Sequence, residues 1–137
     1  MIKIEELNPK NVKLTAEEQA NLAILHEKIN KIRNLWAKPM IVTSGFRSKE
    51  DHLRVYREIA YRKDVKFDES KVPMGSKHLY GKAVDISDPK GELAKWCHEN
   101  VKHLEDIGLW LEATEDTIGW VHFQIEPPKS GNRFFKP

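Results

Sequence analysis

Two histidines and an aspartate are spaced along this chain in a way that suits metal binding. His78 and Asp85 lie in the segment GSKHLYGKAVDIS, residues 75 to 87, and His122 lies in WVHFQI, residues 120 to 125. Catalytic zinc sites use nitrogen and oxygen donors of this kind and keep a further position open. The sequence therefore predicts one Zn²⁺ ion held by His78, Asp85 and His122.

The segment around His122 alternates between apolar and other residues, which indicates a strand with two different faces. A similar run, LWLEA at residues 109 to 113, precedes it, and a polar turn at 115 to 118 joins the two into a predicted β-hairpin. Folding the hairpin brings Glu112 roughly opposite Val121 or His122. A carboxylate and an imidazole could therefore meet across the hairpin.

The remaining elements must position these groups. Thr15 with Glu18, and Ser48 with Asp51, predict the starts of two helices, which run to about 39 and 62. Short strands are expected at 40–46 and 81–87, a long loop at 63–77, and a single helix ending at Gly108. We expect His52, like His26, to meet solvent on its helix. The pattern predicts an α+β domain over residues 1–137, with a central, mostly antiparallel sheet, helices packed to one side and an irregular tail at 126–137.

Composition excludes several classes of partner. The 137 residues include 23 basic and 21 acidic side chains, a net charge of +2 that is too small and too scattered for a nucleic-acid surface. No apolar run is long enough to cross a membrane, and no signal peptide is visible at the N-terminus. The single Cys97 cannot form an internal disulfide. We expect a monomer that binds no nucleic acid and does not insert into membranes.

Three motifs occur in an order that resembles one enzyme family. They are SGFRS at 44–48, the pattern SxHxxGxAxD at 76–85 and WVHFQ at 120–124. Together they resemble the zinc D-Ala-D-Ala carboxypeptidase and L-alanyl-D-glutamate peptidase family, which includes many phage endolysins. The resemblance implies the hedgehog/DD-peptidase fold, one zinc ion on His78, Asp85 and His122, and hydrolysis of amide bonds in peptidoglycan stem peptides or D-Ala-D-Ala peptides.

The resemblance also suggests further site residues. Arg47 would offer its guanidinium to the oxyanion or to a substrate carboxylate, and Ser76 would bind the substrate backbone or orient the loop. Contacts with the substrate are also expected from Tyr80, Trp120 and Gln124. Many members of that family carry the catalytic glutamate three residues before the last histidine, where this chain has Gly119. The general base is then expected from elsewhere on the hairpin, and Glu112, on the face predicted to line the site, is preferred over Glu115 or Asp116.

These features predict a protein made in the cytoplasm that acts on the cell wall, either after holin-dependent release or as a virion component. A cytosolic D-Ala-D-Ala dipeptidase is the nearest enzyme alternative. A zinc-containing binding domain without catalysis is the alternative of a different class, and Gly119 is the feature that keeps it open.

Overall fold

A five-stranded sheet forms the centre of the protein, which we describe over residues 1–136 from a computed structural model. The strands are β1 Val42–Ser44, β2 Ala83–Asp88, β3 Trp110–Glu112, β4 Gly119–Gln124 and β5 Phe134–Phe135. Their order in the sheet is β1-β2-β4-β3-β5, and the neighbours pair antiparallel except for β3 with β5. The predicted α+β class with a mostly antiparallel sheet is confirmed. The helices are α1 Ala16–Trp36, α2 Lys49–Arg62, α3 Glu92–Glu99 and α4 Val101–Ile107.

Both predicted helix starts are confirmed. The Thr15 side chain accepts a hydrogen bond from the Glu18 backbone N–H, and the Glu18 carboxylate accepts one from the backbone N–H of Thr15. Ser48 caps α2 in the simpler way, by accepting from the Asp51 N–H. These caps satisfy backbone donors that a helix start leaves without intrahelical partners.

The hydrophobic core lies between one face of the sheet and three helices. The sheet contributes Val84 and Ile86 from β2, Leu111 from β3, and Val121 and Phe123 from β4, and α1, α3 and α4 cover this face. Within residues 1–136, α2 contributes no residue to this cluster. The opposite face of β2 and β4, which carries Asp85 and His122, is therefore left for the site.

Two predictions about the second half of the chain are wrong. The helix expected to run to Gly108 is broken at Asn100 into α3 and α4, and the Asn100 side chain donates to the carbonyl of Trp96. The tail is irregular only in part, because Phe134–Phe135 forms β5 and pairs parallel with β3.

The long loop before His78 is present, with short 3₁₀ turns at Glu69–Lys71 and Lys77–Tyr80. No helix within residues 1–136 is both long and apolar enough to span a membrane.

Candidate metal centre

His78 reaches the site from a 3₁₀ turn that ends in a glycine. Gly81 follows this turn in the left-handed region, with φ +74°, and its N–H donates to the carbonyl of Lys77. A side chain on Gly81 would be strained at this φ, and its Cβ would lie 3.0 Å from the carbonyl oxygen of Glu18. The reversal at Gly81 lets the chain enter β2 at Ala83 and present Asp85 beside His78.

The register of β2 with β4 places Asp85 directly opposite His122. Cross-strand partners project to the same face of a sheet, so the two side chains meet. Asp85 Oδ1 lies 2.9 Å from His122 Nδ1, and Asp85 Oδ2 lies 3.3 Å from His78 Nε2. One potential ligand atom from each of the three residues lies within 4.8 Å of the others. The centroids of the two imidazole rings are 5.2 Å apart. The structure thus brings together the three predicted metal ligands.

Hydrogen bonds outside the triad orient both imidazoles. His78 Nδ1 lies 2.9 Å from the carbonyl oxygen of Gly45, and His122 Nε2 lies 2.9 Å from Oε1 of Gln124. The Gln124 amide nitrogen donates to the Glu126 carbonyl, which leaves its oxygen as the acceptor for His122. We assign the tautomers from these partners: each ring donates outward and turns its lone pair toward Asp85.

Two lone pairs and a carboxylate facing one another repel unless a positive charge lies between them. Protons can supply this positive charge. Burial opposes a charged imidazole, but the hydrogen bond and charge of Asp85 raise the pKa of His122 above its ordinary value. Burial likewise opposes ionisation of Asp85, but the bonds from His122 and His78 hold its pKa well below the usual range. A divalent cation between the three side chains would also supply this positive charge. The two ring nitrogens and the carboxylate are suitable donors for such a cation, and hydrogen bonds outside the triad already orient both rings. The triad can therefore hold a metal ion.

Glycine is required at position 45 by a close approach. A Cβ there would run into the backbone of Leu7, whose carbonyl oxygen accepts a hydrogen bond from Phe46 N at 2.6 Å. The Gly45 carbonyl is the acceptor for His78, and the Arg47 backbone N–H donates to the carbonyl of His78 at 3.0 Å. Residues 45 to 47 therefore hold His78, the first of the three candidate ligands, by both its ring and its backbone.

Glu112 lies on the same face of the hairpin as His122. The observed pairs are Trp110 with Gln124 and Leu111 with Phe123, and strand alternation puts Glu112 on the face of Gln124 and His122. Extending this register by one residue sets Glu112 opposite His122, one of the two partners expected from the sequence. Within residues 1–136 its half-buried carboxylate has neither a hydrogen bond nor an ion pair. Burial raises its pKa, and the charges of Asp85 and Asp116 add to this effect against the opposing influence of His122.

The alternative bases are less suited to the site. Glu115 and Asp116 lie in an exposed turn, and both carboxylates pair with Lys136, at 2.9 and 3.2 Å. Gly119 is exposed, has φ +96° and would place a side chain in open space. A glutamate at this position would therefore need a backbone conformation that side chains rarely adopt.

The other predicted site residues fall into two groups. Tyr80 and Trp120 are 44% and 37% exposed beside the ligand segments, and Ser76 precedes the turn that carries His78, with no capping hydrogen bond from its side chain. Gln124 is only 3% exposed and both ends of its amide are bonded within the protein, which favours positioning of His122 over contact with a substrate.

Sequence reasoning missed two contributors to the surroundings of the site. His52 is 1% exposed rather than solvent-facing, and it lies within hydrogen-bonding distance of Arg47 and of the carbonyl of Pro73. His52 shares a helix face with Tyr56, which is a sequence signal for burial that its charged neighbours obscured. Phe135, on the unpredicted β5, packs edge-on 6.1 Å from the His122 ring. The expectation for His26 is also wrong, because this half-buried ring bonds to the carbonyl of Ile2.

Comparisons with protein-family models, with curated proteins and with solved structures found no match to this chain.

Proposed function

We propose that this protein is a zinc-dependent peptidase that hydrolyses amide bonds of peptidoglycan stem peptides. One observation carries the proposal: two imidazole lone pairs and a carboxylate converge on one point, and a half-buried carboxylate without a partner within residues 1–136 lies on the same sheet face. A purely structural metal site would not need the second carboxylate.

Zinc is the metal that this donor set favours, since two imidazoles and one carboxylate match the borderline character of Zn²⁺. When bound, zinc would supply Lewis-acid activation of a water molecule and polarisation of the scissile carbonyl. His78, Asp85 and His122 would hold it, and the hydrogen bonds to Gly45 and Gln124 would keep both rings aimed at it.

Glu112 is proposed as the general base. It would accept a proton from the attacking water and then pass that proton to the leaving amine, which restores the carboxylate for the next cycle. A raised pKa suits both steps, because a carboxyl group of very low pKa accepts protons poorly.

Arg47 is proposed to bind the oxyanion or a substrate carboxylate. Its backbone donates to His78, and its guanidinium lies 3.4 Å from the hydroxyl of Ser44, which pairs with Asp85 across β1 and β2. A planar guanidinium can donate two parallel hydrogen bonds to the two oxygens of a substrate carboxylate.

The substrate class is supported by the three sequence motifs that resemble the D-Ala-D-Ala carboxypeptidase and L-alanyl-D-glutamate peptidase family. Tyr80 and Trp120 would form walls for a stem peptide, with Ser76 beside them. The place of action is then the cell wall, reached after holin-dependent release or as part of a virion.

The test is hydrolysis of isolated murein by the zinc-loaded protein. Wild-type protein should release peptide fragments, a chelator should abolish the release, and added Zn²⁺ should restore it. Glu112→Gln should keep one zinc ion per chain but lose at least about 100-fold in kcat, because the amide cannot accept the proton. Glu115→Gln, in the exposed turn that follows β3, is the matched control and should behave like wild type. No turnover of murein or of any D-Ala-D-Ala peptide by zinc-loaded wild-type protein would refute the peptidase.

A zinc-binding domain without catalysis is the second candidate. It is favoured by Gly119, whose positive φ disfavours any side chain, at the position where many members of the resembled family carry a glutamate. It predicts full zinc binding with no hydrolysis in either protein. A D-Ala-D-Ala dipeptidase would instead cleave the free dipeptide and leave murein intact.

A further inference from the structure

His52 is a buried polar residue on a helix that contributes nothing to the main core within residues 1–136. Only 1% of its surface is exposed, and its ring packs against Tyr56 at 5.0 Å between centroids. Its α2 neighbours Lys49, Glu50 and Arg54 are exposed. Burying an imidazole has a free-energy cost unless its nitrogens are bonded, so the partners of His52 show what the position demands.

Both ring nitrogens of His52 have a partner, and the two partners require the same tautomer. Nε2 lies 2.7 Å from the carbonyl oxygen of Pro73, which can only accept. Nδ1 lies 3.3 Å from Nη1 of Arg47, which can only donate. His52 must therefore donate through Nε2 and accept through Nδ1, which makes it a neutral imidazole.

A neutral acceptor has a particular effect on Arg47. The side-chain partners that the structure gives Arg47 within residues 1–136 are His52 and the hydroxyl of Ser44, at 3.3 and 3.4 Å. A carboxylate in place of His52 would fix the guanidinium equally well but would cancel its charge. With an imidazole lone pair, the guanidinium is held and its positive charge remains available for an anionic group of the substrate.

We infer that His52 is a positioning residue that holds the guanidinium of Arg47 in place without neutralising its charge. The inference rests on the proposed peptidase function, since it assigns His52 a part in that reaction through Arg47. His52 also ties Pro73, in the loop that leads to His78, to helix α2. The two bonds of the ring therefore need to be tested separately.

Two amide substitutions separate them. In His52→Asn the side-chain oxygen takes roughly the place of Nδ1 and can still accept from Arg47, but the bond to Pro73 is lost. In His52→Gln the amide nitrogen takes roughly the place of Nε2 and can still donate to Pro73, but the acceptor for Arg47 is displaced. His52→Leu removes both bonds. His26→Asn is the matched control, because His26 is a half-buried helix histidine bonded to a backbone carbonyl.

The experiment measures kcat and KM on a soluble muropeptide, with zinc content and thermal stability measured for each variant. We expect His52→Gln and His52→Leu to lose about 10- to 100-fold in kcat/KM, the range expected when a catalytic group is displaced by about an ångström. His52→Asn should recover most of this loss, His26→Asn should match wild type, and all variants should keep one zinc ion. His52→Asp should bind zinc but fall at least as low as His52→Leu, because its carboxylate cancels the charge of Arg47.

Two kinetic results would overturn the inference while leaving the peptidase intact. If His52→Leu shows wild-type kcat/KM, His52 positions nothing that the reaction needs. If His52→Gln is active and His52→Asn is not, the ring serves the loop at Pro73 rather than Arg47. Zinc-loaded wild-type protein without activity would refute the proposed function itself, and the catalytic part of the inference with it.

A direct readout does not depend on activity. In ¹⁵N-edited NMR spectra of the imidazole side chains at neutral pH, His52 should appear as the neutral tautomer with its proton on Nε2. A proton on Nδ1, or a doubly protonated ring, would contradict the bond to Arg47.

Discussion

The substitution Gln124→Met should weaken zinc binding although it replaces none of the three proposed ligands. Gln124 is 3% exposed, its Oε1 lies 2.9 Å from His122 Nε2, and its amide nitrogen lies 2.7 Å from the carbonyl of Glu126. Methionine has a similar length and fills the space but can accept no comparable hydrogen bond. His122 would then be free to rotate or to carry its proton on Nδ1, the nitrogen that faces Asp85.

The expected loss of zinc affinity follows from the loss of the hydrogen bond between Gln124 and His122. Removing the partner that orients a metal-bound histidine lowers metal affinity by about 10- to 100-fold, or about 1.4 to 2.7 kcal/mol. The fold should also lose stability, because the buried His122 N–H loses its partner, at about 1 to 3 kcal/mol for a buried group, and the partly buried Glu126 carbonyl loses one as well. The variant should still fold, since its apolar volume is retained.

The assay is competition for Zn²⁺ against a chromophoric chelator, with circular dichroism to confirm folding. Asp88→Ala is the matched control: Asp88 is 6% exposed and accepts hydrogen bonds from the backbone N–H groups of Leu93 and Ala94, at the start of α3 on the helix side of the sheet. It should lower stability by a similar amount and leave the zinc affinity unchanged. If folded Gln124→Met binds zinc as tightly as wild type, or if Asp88→Ala weakens binding equally, Gln124 does not set the orientation of His122.

Three other outcomes are expected. His122→Ala should reduce bound zinc well below one ion per chain in metal analysis of the dialysed protein, and unchanged stoichiometry would remove His122 from the ligand set. Gly45→Ala should lower the free energy of unfolding by about 1 to 3 kcal/mol in denaturant titrations, because the new Cβ meets the backbone of Leu7. An unchanged denaturation midpoint would show that the backbone relaxes freely around the new Cβ. Burial, with the charge of Asp88, raises the pKa of the Cys97 thiol to about 12. An aromatic disulfide reagent at pH 8 should therefore label Cys97 only after unfolding, and rapid labelling of the native protein would contradict the burial of this thiol.

The geometry of the hairpin could be predicted from sequence because strand alternation is a local property. The alternating runs around Leu111 and Phe123 place Glu112 and His122 on one face, and the observed register agrees. Helix starts at Thr15 and Ser48 were predictable for the same reason, since a cap and its partner lie three residues apart.

Features that depend on distant partners could not be predicted in this way. β5 exists because Phe134 and Phe135 pair with β3, more than twenty residues earlier, and two residues carry no strand pattern of their own. The break at Asn100 was accessible in principle, because an asparagine side chain competes for helix backbone groups. The burial of His52 depends on Pro73, which belongs to a loop without periodicity.

The contact of Leu7 with Gly45 has a consequence for attempts to transplant this site. The segment from Ile4 to Leu7 supports the carbonyl that orients His78, although it lies outside every recognisable motif. A designer who grafted only residues 44–48, 76–85 and 120–124 onto another scaffold would carry over the ligands but leave this support behind. Deleting residues 1–8 from the present chain should accordingly loosen the arrangement of His78, Asp85 and His122 even though none of the three is removed.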